Sequence, residues 1–210
     1  MEFGLEALTV SDGKEWGATM NTYANVILKG PQREAIVANL TAHKQRAFIG
    51  PTVNGLTFVY TPFDTWTEGA EGLSSGLQCS ALFAYGYDSD VFGYTLYDSG
   101  QVQDTYVSAV EDDFTGDGPE LSEGPAGGNT DALCRFVGAD QAVAQVDVIL
   151  HPPIEGSLSH AGIDAFHQHW ALAEALGLPP HACVQSYETL HVDEYSRADV
   201  FGGIPLIETP

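Results

Sequence analysis

His160, Asp164 and His167 stand at i, i+4 and i+7, a spacing that stacks an imidazole, a carboxylate and a second imidazole along one stripe of a helix. Such a stripe could hold a divalent cation, with Glu174 further along it. Hydrolysis on zinc would also call for a base such as the glutamate of H-E-x-x-H, and Asp164 occupies the second-ligand slot of that pattern instead. Asp113-Phe114-Thr115-Gly116-Asp117-Gly118 has the oxygen-bearing side chains and the glycine of a calcium loop, but Gly124 stands where the bidentate glutamate belongs. No cofactor is implied beyond a divalent cation.

Other chemistries have little support in the residue pattern. Ser74 and Ser75 precede Gly76 without a G-x-S-x-G elbow, and Gly116-Asp117-Gly118 and Gly127-Gly128 lack the lysine of a phosphate-binding loop. Cys79, Cys134 and Cys183 are three, far apart and without a C-x-x-C, which argues for a reducing compartment and against a disulfide framework. Their apolar neighbours read as packing rather than thiolate activation. No catalytic residue is assigned.

The aromatic residues are concentrated between Phe83 and Tyr106. Alternation sends Phe92, Tyr94 and Leu96 to one face of a strand and leaves Val91, Thr95 and Tyr97 on the other. With Tyr85 and Tyr87, and with Asp88, Asp90, Asp98 and Asp104 at the strand ends, Tyr97 makes an aromatic and acidic patch suited to a protein partner with basic anchors.

The elements that must position these groups follow from local pattern. Tyr23 to Leu28 reads as a strand, and Gly30-Pro31 is expected to start a helix running from Gln32 to His43. Asn54-Gly55 between two apolar runs predicts a tight hairpin, because those residues most readily supply positive φ. Thr65 followed by Glu68 suggests a capping box for a glycine-weakened helix to Gln78. Ser80 to Tyr85, Val91 to Tyr97 and Gln101 to Val107 form an antiparallel meander.

Strand, helix, hairpin, helix and strand in that order predict a ferredoxin-like βαββαβ core extended by the meander, an α+β fold. Asn129 caps a helix ending near Gly138, and a second runs from Ala142 to Leu150, ended by His151-Pro152-Pro153. Ser159 is expected to cap a third, whose inward face is Ile163, Phe166, Trp170, Ala173 and Leu176. Tyr187 to Val192 is expected to be an edge strand. The chain thus divides into an N-terminal arm over 1–22, the core and meander over 23–109, an acidic loop over 110–128, and a helical part over 129–210 packed on the same domain.

Charge narrows the partners. The 210 residues carry 29 acids against 7 Lys and Arg, a formal charge of -22, which disfavours nucleic acid and anionic lipid. From Ala47 to Cys134 there is no Lys or Arg, while fourteen acids fall in that span. The first residues lack the basic start and apolar stretch of a signal peptide, and no apolar run is long enough to span a membrane, so a cytoplasmic location is expected.

The run His169-Trp170-Ala171-Leu172-Ala173-Glu174-Ala175-Leu176-Gly177-Leu178-Pro179, then Tyr187 and Leu190, resembles small uncharacterised bacterial proteins. So does the segment Ala81 to Tyr106, with its Tyr94-x-Leu96-Tyr97-Asp98-x-Gly100 core. The resemblance implies a bacterial source and no particular activity. The expected function is that of an acidic binding or regulatory protein working on a basic partner. A metal-dependent hydrolase using the His/Asp/His stripe and a structural subunit of a larger assembly are the alternatives.

Overall fold

Tyr23–Lys29 (β1) is buried at every residue but the last, so a strand of this kind needs pairing on both edges and cover on both faces. It has both. In the computed structural model, which describes residues 22–62, 65–87, 90–108, 110–111, 121–123, 125–152, 164–193, 197 and 200–209, β1 lies between two antiparallel neighbours. They are Leu56–Tyr60 (β3) and Ser80–Tyr87 (β4).

The remaining strands are Phe48–Val53 (β2), Val91–Asp98 (β5), Gln101–Val107 (β6), Val110–Glu111 (β7), Leu121–Glu123 (β8), Ala126–Gly127 (β9) and Ile207–Glu208 (β10). An eight-stranded sheet runs β10-β2-β3-β1-β4-β5-β6-β9, with every pair antiparallel, while β7 and β8 pair separately. The fold is α+β.

Arg33–Ala42 (α1) links β1 to β2 across β3, and Trp66–Leu77 (α2) links β3 to β4 across β1. Both lie on one face, where Ile36 and Leu40 of α1 and Ala70 and Leu73 of α2 cover Val26, Leu28, Val59 and Phe83. The opposite face is covered by Thr130–Val137 (α3), Val143–Leu150 (α4), Ala165–Ala175 (α5), Pro180–Cys183 (α6) and Tyr187–Val192 (α7). Leu133, Val146, Leu172, Ala182 and Leu190 pack there on Ile27, Phe58, Tyr60, Leu82 and Tyr94. The sheet is therefore sandwiched between two helical layers.

Local chemistry sets several of these boundaries as expected. Asn54 and Gly55 have φ of 52° and 78° and close the β2–β3 hairpin. The Asn129 side chain accepts from the Ala132 amide at 3.0 Å, and Gly138, at φ 86°, ends α3. Replacing Asn129→Ala should therefore lower stability by about 1 kcal/mol in urea unfolding. An unchanged midpoint would show that this cap contributes nothing.

Elsewhere the structure departs from the expected pattern. Tyr187–Val192 is a helix, not an edge strand: Ser186 accepts from the Thr189 amide at 3.2 Å, and Tyr187 and Leu190 are buried. The edge position beside β2 is taken by β10. The hydroxyl of Thr65 donates to the Pro62 carbonyl at 2.9 Å and caps nothing, so α2 is held by packing and by Ser74, which donates to the Cys79 carbonyl and accepts from the Gly100 amide. Gln32, not Gly30, is the cap residue of α1, while Gly30, at φ 103°, turns the chain and donates its amide to Gly55. The N-terminal arm, apart from Thr22, and Ser159 lie outside the described residues.

Candidate binding face

β4, β5 and β6 carry the expected patch, and their pairing decides which of its members meet. Phe83 pairs with Thr95, Tyr85 with Gly93, and Tyr97 with Val102, which puts all six on the face that α1 and α2 share. Tyr97 is 3% exposed and belongs to the core beneath α2. Burial, and then the Glu71 carboxylate, push its phenol pKa up. Tyr85 lies half-buried, stacked on Phe83 with centroids 5.6 Å apart, and crosses Gly93, where an added Cβ would fall 2.3 Å from its hydroxyl. Glycine at 93 leaves that ring its room.

Beyond α2 the face opens. Tyr87, at the Val91 end of β5, is 50% exposed, and Val102, paired with Tyr97 toward the other end, is 57% exposed with Thr105 exposed beside it. Asp90 is exposed at the β4–β5 turn, and Asp98 at the β5–β6 turn accepts from the Ser80 hydroxyl at 3.0 Å. Asp88 lies outside the described residues. Asp104 faces the other way: it accepts from the Tyr94 hydroxyl at 2.8 Å and the Asn129 amide at 2.7 Å, tying β6 to the start of α3. The expected patch thus resolves into two separate parts at opposite ends of β5, Tyr85, Tyr87 and Asp90 at one and Asp98 at the other, with Tyr97 and Asp104 engaged inside the fold.

His160 lies outside the described residues, and so does most of the calcium-like loop. Asp164 is the N-cap of α5: its Oδ1 accepts from the His167 amide at 2.9 Å and sits 2.7 Å from His167 Nδ1. An aspartate at that position satisfies an orphan amide and favours the positive helix end, so Asp164 and His167 meet as a capping pair. Among the described residues, no group of three His, Cys, Asp or Glu side chains is placed to hold a metal. Burial pushes the Cys79 thiol up to about 11 and raises Cys134 and Cys183 as well, which keeps all three protonated near neutrality.

The polar groups that spacing missed are on the helical side. The inward face of α5 is Ala165, Gln168, His169, Leu172 and Ala173, while Phe166 and Trp170 are only partly covered. His169 lies between Tyr23 and Phe92, at 5.5 and 4.3 Å between centroids, with Nδ1 2.8 Å from the Tyr23 hydroxyl. Burial pushes its pKa down to about 3. Gln168 donates to the Tyr106 hydroxyl and the Ile149 carbonyl, both at 2.8 Å.

His151 presents Nδ1 to Asp147 at 3.0 Å and Nε2 to the Gly127 carbonyl at 2.9 Å. Two acceptors suit the imidazolium; the Gly127 bond chiefly, and the Asp147 carboxylate with it, raise its pKa against partial burial. Periodicity holds no signal for His169, whose partners are distant in the chain, whereas His151 joins a local i−4 partner, Asp147, to the distant Gly127 carbonyl.

A cavity of about 390 Å³ lies between the β2–β3 hairpin and the ends of α3 and α5. Leu56, Phe58, Val137 and Leu178 wall it, and Asn54 and Gln141 are its polar side chains. No described helix is long and apolar enough to cross a membrane. Comparison of the chain with family models, with curated proteins and with solved structures gives no match.

Proposed function

We propose that the chain is an acidic binding or regulatory protein that works through contacts with a basic protein partner in the cytoplasm. The observation that carries this reading is the separation of charge across the sheet. At the β10–β2 edge, Arg33 donates to the Ile49 and Pro205 carbonyls, Arg46 lies over the Tyr187 ring at 5.5 Å and Arg197 over Phe48 at 4.8 Å. At the opposite edge, β4, β5, β6, β9 and α2 contain no Lys or Arg, while Glu71, Asp90 and Asp98 are exposed. Asp90 near exposed Tyr87 at one end of β5, and Asp98 near exposed Val102 at the other, give a basic partner both attraction and apolar contact, with Lys29, two strands from Asp98, the nearest cation in that row.

The β1-to-β6 part of the same body is best read as a ferredoxin-like βαββαβ core with a meander added. The support is the pair of interleaved crossovers, with β2-β3-β1-β4 contiguous in the sheet.

A charge-reversal comparison tests the functional reading. Asp90→Lys with Asp98→Lys, and Glu34→Lys with Asp140→Lys, change net charge equally, but only the first pair alters the segment from β4 to β6, which carries no Lys or Arg. Binding of the peptide Ac-Lys-Val-Lys-Val-Lys-Val-NH2, followed by calorimetry at low salt, should weaken about tenfold for the first pair and less than about twofold for the second. Equal losses would reduce the attraction to overall charge and overturn the assignment of a binding face.

A further inference from the structure

We infer that the outer edge of β6 from Gln101 to Asp104 accepts an extended basic segment of the partner as an added strand, an inference that rests on the acidic-binding reading and supplies its mode. Ser99 and Gly100, with φ of 51° and 83°, make a two-residue turn closed by Asp98 and Gln101. In such a hairpin the closing pair is hydrogen-bonded and the next pair is not. Tyr97 and Val102 form that next pair, so the amide and carbonyl of Val102 point away from β5 toward the open side.

The other half of this edge is already used in the same way. β9 pairs with Tyr106 and Val107, and the Gly128 amide donates to the Thr105 carbonyl at 2.8 Å. Among the described residues no strand pairs with the outer edge between Gln101 and Asp104, so an incoming segment would lie there in line with β9. Lys and Pro, the usual guards of an edge strand, are absent from β6. A register shift between Leu96 and Tyr97 puts an extra residue into β6, and the Gln103 side chain donates to the Gln101 carbonyl at 3.3 Å. That bulge keeps the added ladder short, leaving side chains and charge to supply the rest of the affinity.

Charge chooses the occupant. The described acids nearest this edge are Asp98 at the turn and Asp104 in β6, and in sequence no cation falls between Ala47 and Cys134. A second copy would bring its own charge of -22 against the first, so monopole repulsion disfavours it. A strand with alternating Lys and apolar residues presents its apolar side chains to Val102 and Thr105 and its ammonium groups to the other face, where Asp98 and Asp104 lie.

The test compares Ac-Lys-Val-Lys-Val-Lys-Val-NH2 with two analogues N-methylated on alternate backbone nitrogens, one in each frame, against the full-length protein. Methylation keeps the charge and removes one edge of donors. The parent peptide is expected to bind at least about tenfold tighter than one analogue and to shift the amide resonances of Val102 and its neighbours. Val102→Pro, which an edge strand tolerates, should remove that preference while leaving the far-ultraviolet circular dichroism unchanged. Equal binding of all three peptides overturns strand addition and leaves the acidic reading standing, whereas no binding by any of them overturns both. A concentration-dependent dimer in light scattering that Val102→Pro abolishes would make the occupant a second copy and overturn the basic partner.

Discussion

Below about pH 6.5 the protein is expected to lose stability through His169 alone at about 1.4 kcal/mol per pH unit. The ring is 4% exposed, stacked on both sides, and held as an acceptor for Tyr23 or a donor to it. Burial keeps it neutral in the fold down to about pH 3, whereas in the unfolded chain it takes up a proton near the ordinary histidine value. A depressed folded pKa means that the contribution is intact above the unfolded value and is lost as the pH falls from there toward 3.

His169→Phe keeps an aromatic ring between Tyr23 and Phe92 and removes the titration. Urea midpoints measured across the acid range should fall steeply for the parent and less steeply for the variant. Carboxylates titrate in both, so the difference between the two slopes isolates the histidine. Coincident slopes would mean that the ring is protonated inside the fold, contrary to the burial described. His151 acts in the opposite sense: its raised pKa makes its contribution complete below the unfolded value and lost as pH rises through the folded one. Its side chain is 36% exposed, so solvent screening makes that effect the smaller of the two.

Gly86→Ala should destabilise the fold by about 3 kcal/mol, and Gly93→Ala by only about 1 kcal/mol, although both glycines lie under tyrosine rings. At Gly86 an added Cβ would fall 2.4 Å from Tyr23 Cζ and 2.7 Å from its hydroxyl. Tyr23 is 3% exposed, bonded to His169, and set edge-on to Phe166 at 6.3 Å, so it has nowhere to move. Relief must come from the pairing of β1 with β4 at the centre of the sheet, where Tyr23 and Gly86 are partners.

At Gly93 the intruding ring is Tyr85, whose contact distance is as short, but it is half-buried beside the uncovered end of the face and can swing into solvent. Urea unfolding of the two variants checks the order, and the Tyr85 resonances should report a newly exposed ring only in Gly93→Ala. If Gly86→Ala unfolds with the parent, Tyr23 is not locked.

Part of the turn and cap chemistry was legible along the chain because it depends on φ, ψ and hydrogen bonds within a few residues; the starts of α1 and α2, at Gly30 and Thr65, were not. Asn54-Gly55, Ser99-Gly100, Asn129 and Gly138 each sit where their own conformational preferences put them. The meander strands and the cation-free span were legible for the same reason: alternation and charge are properties of consecutive residues. The candidate face was legible in part, since Tyr85, Tyr87 and Asp90 are together in the fold as they are in the chain, whereas Asp98 falls at the far end of β5.

What the amino acids did not announce depended on partners far away. Tyr97 and Asp104 look like surface groups until α2 covers the one and Tyr94 and Asn129 engage the other. Tyr187 to Val192 has the residues of a strand, but docking of Tyr187 on Phe48, with ring centroids 5.1 Å apart, places it as a helix. His169 meets Tyr23 across 146 residues, and Asn25 donates to the Cys183 carbonyl across 158. Local preference fixes which way the backbone turns; only the closing of the two helical layers over the sheet decides which polar side chains are shut away from water, because desolvation is a property of everything packed around a group.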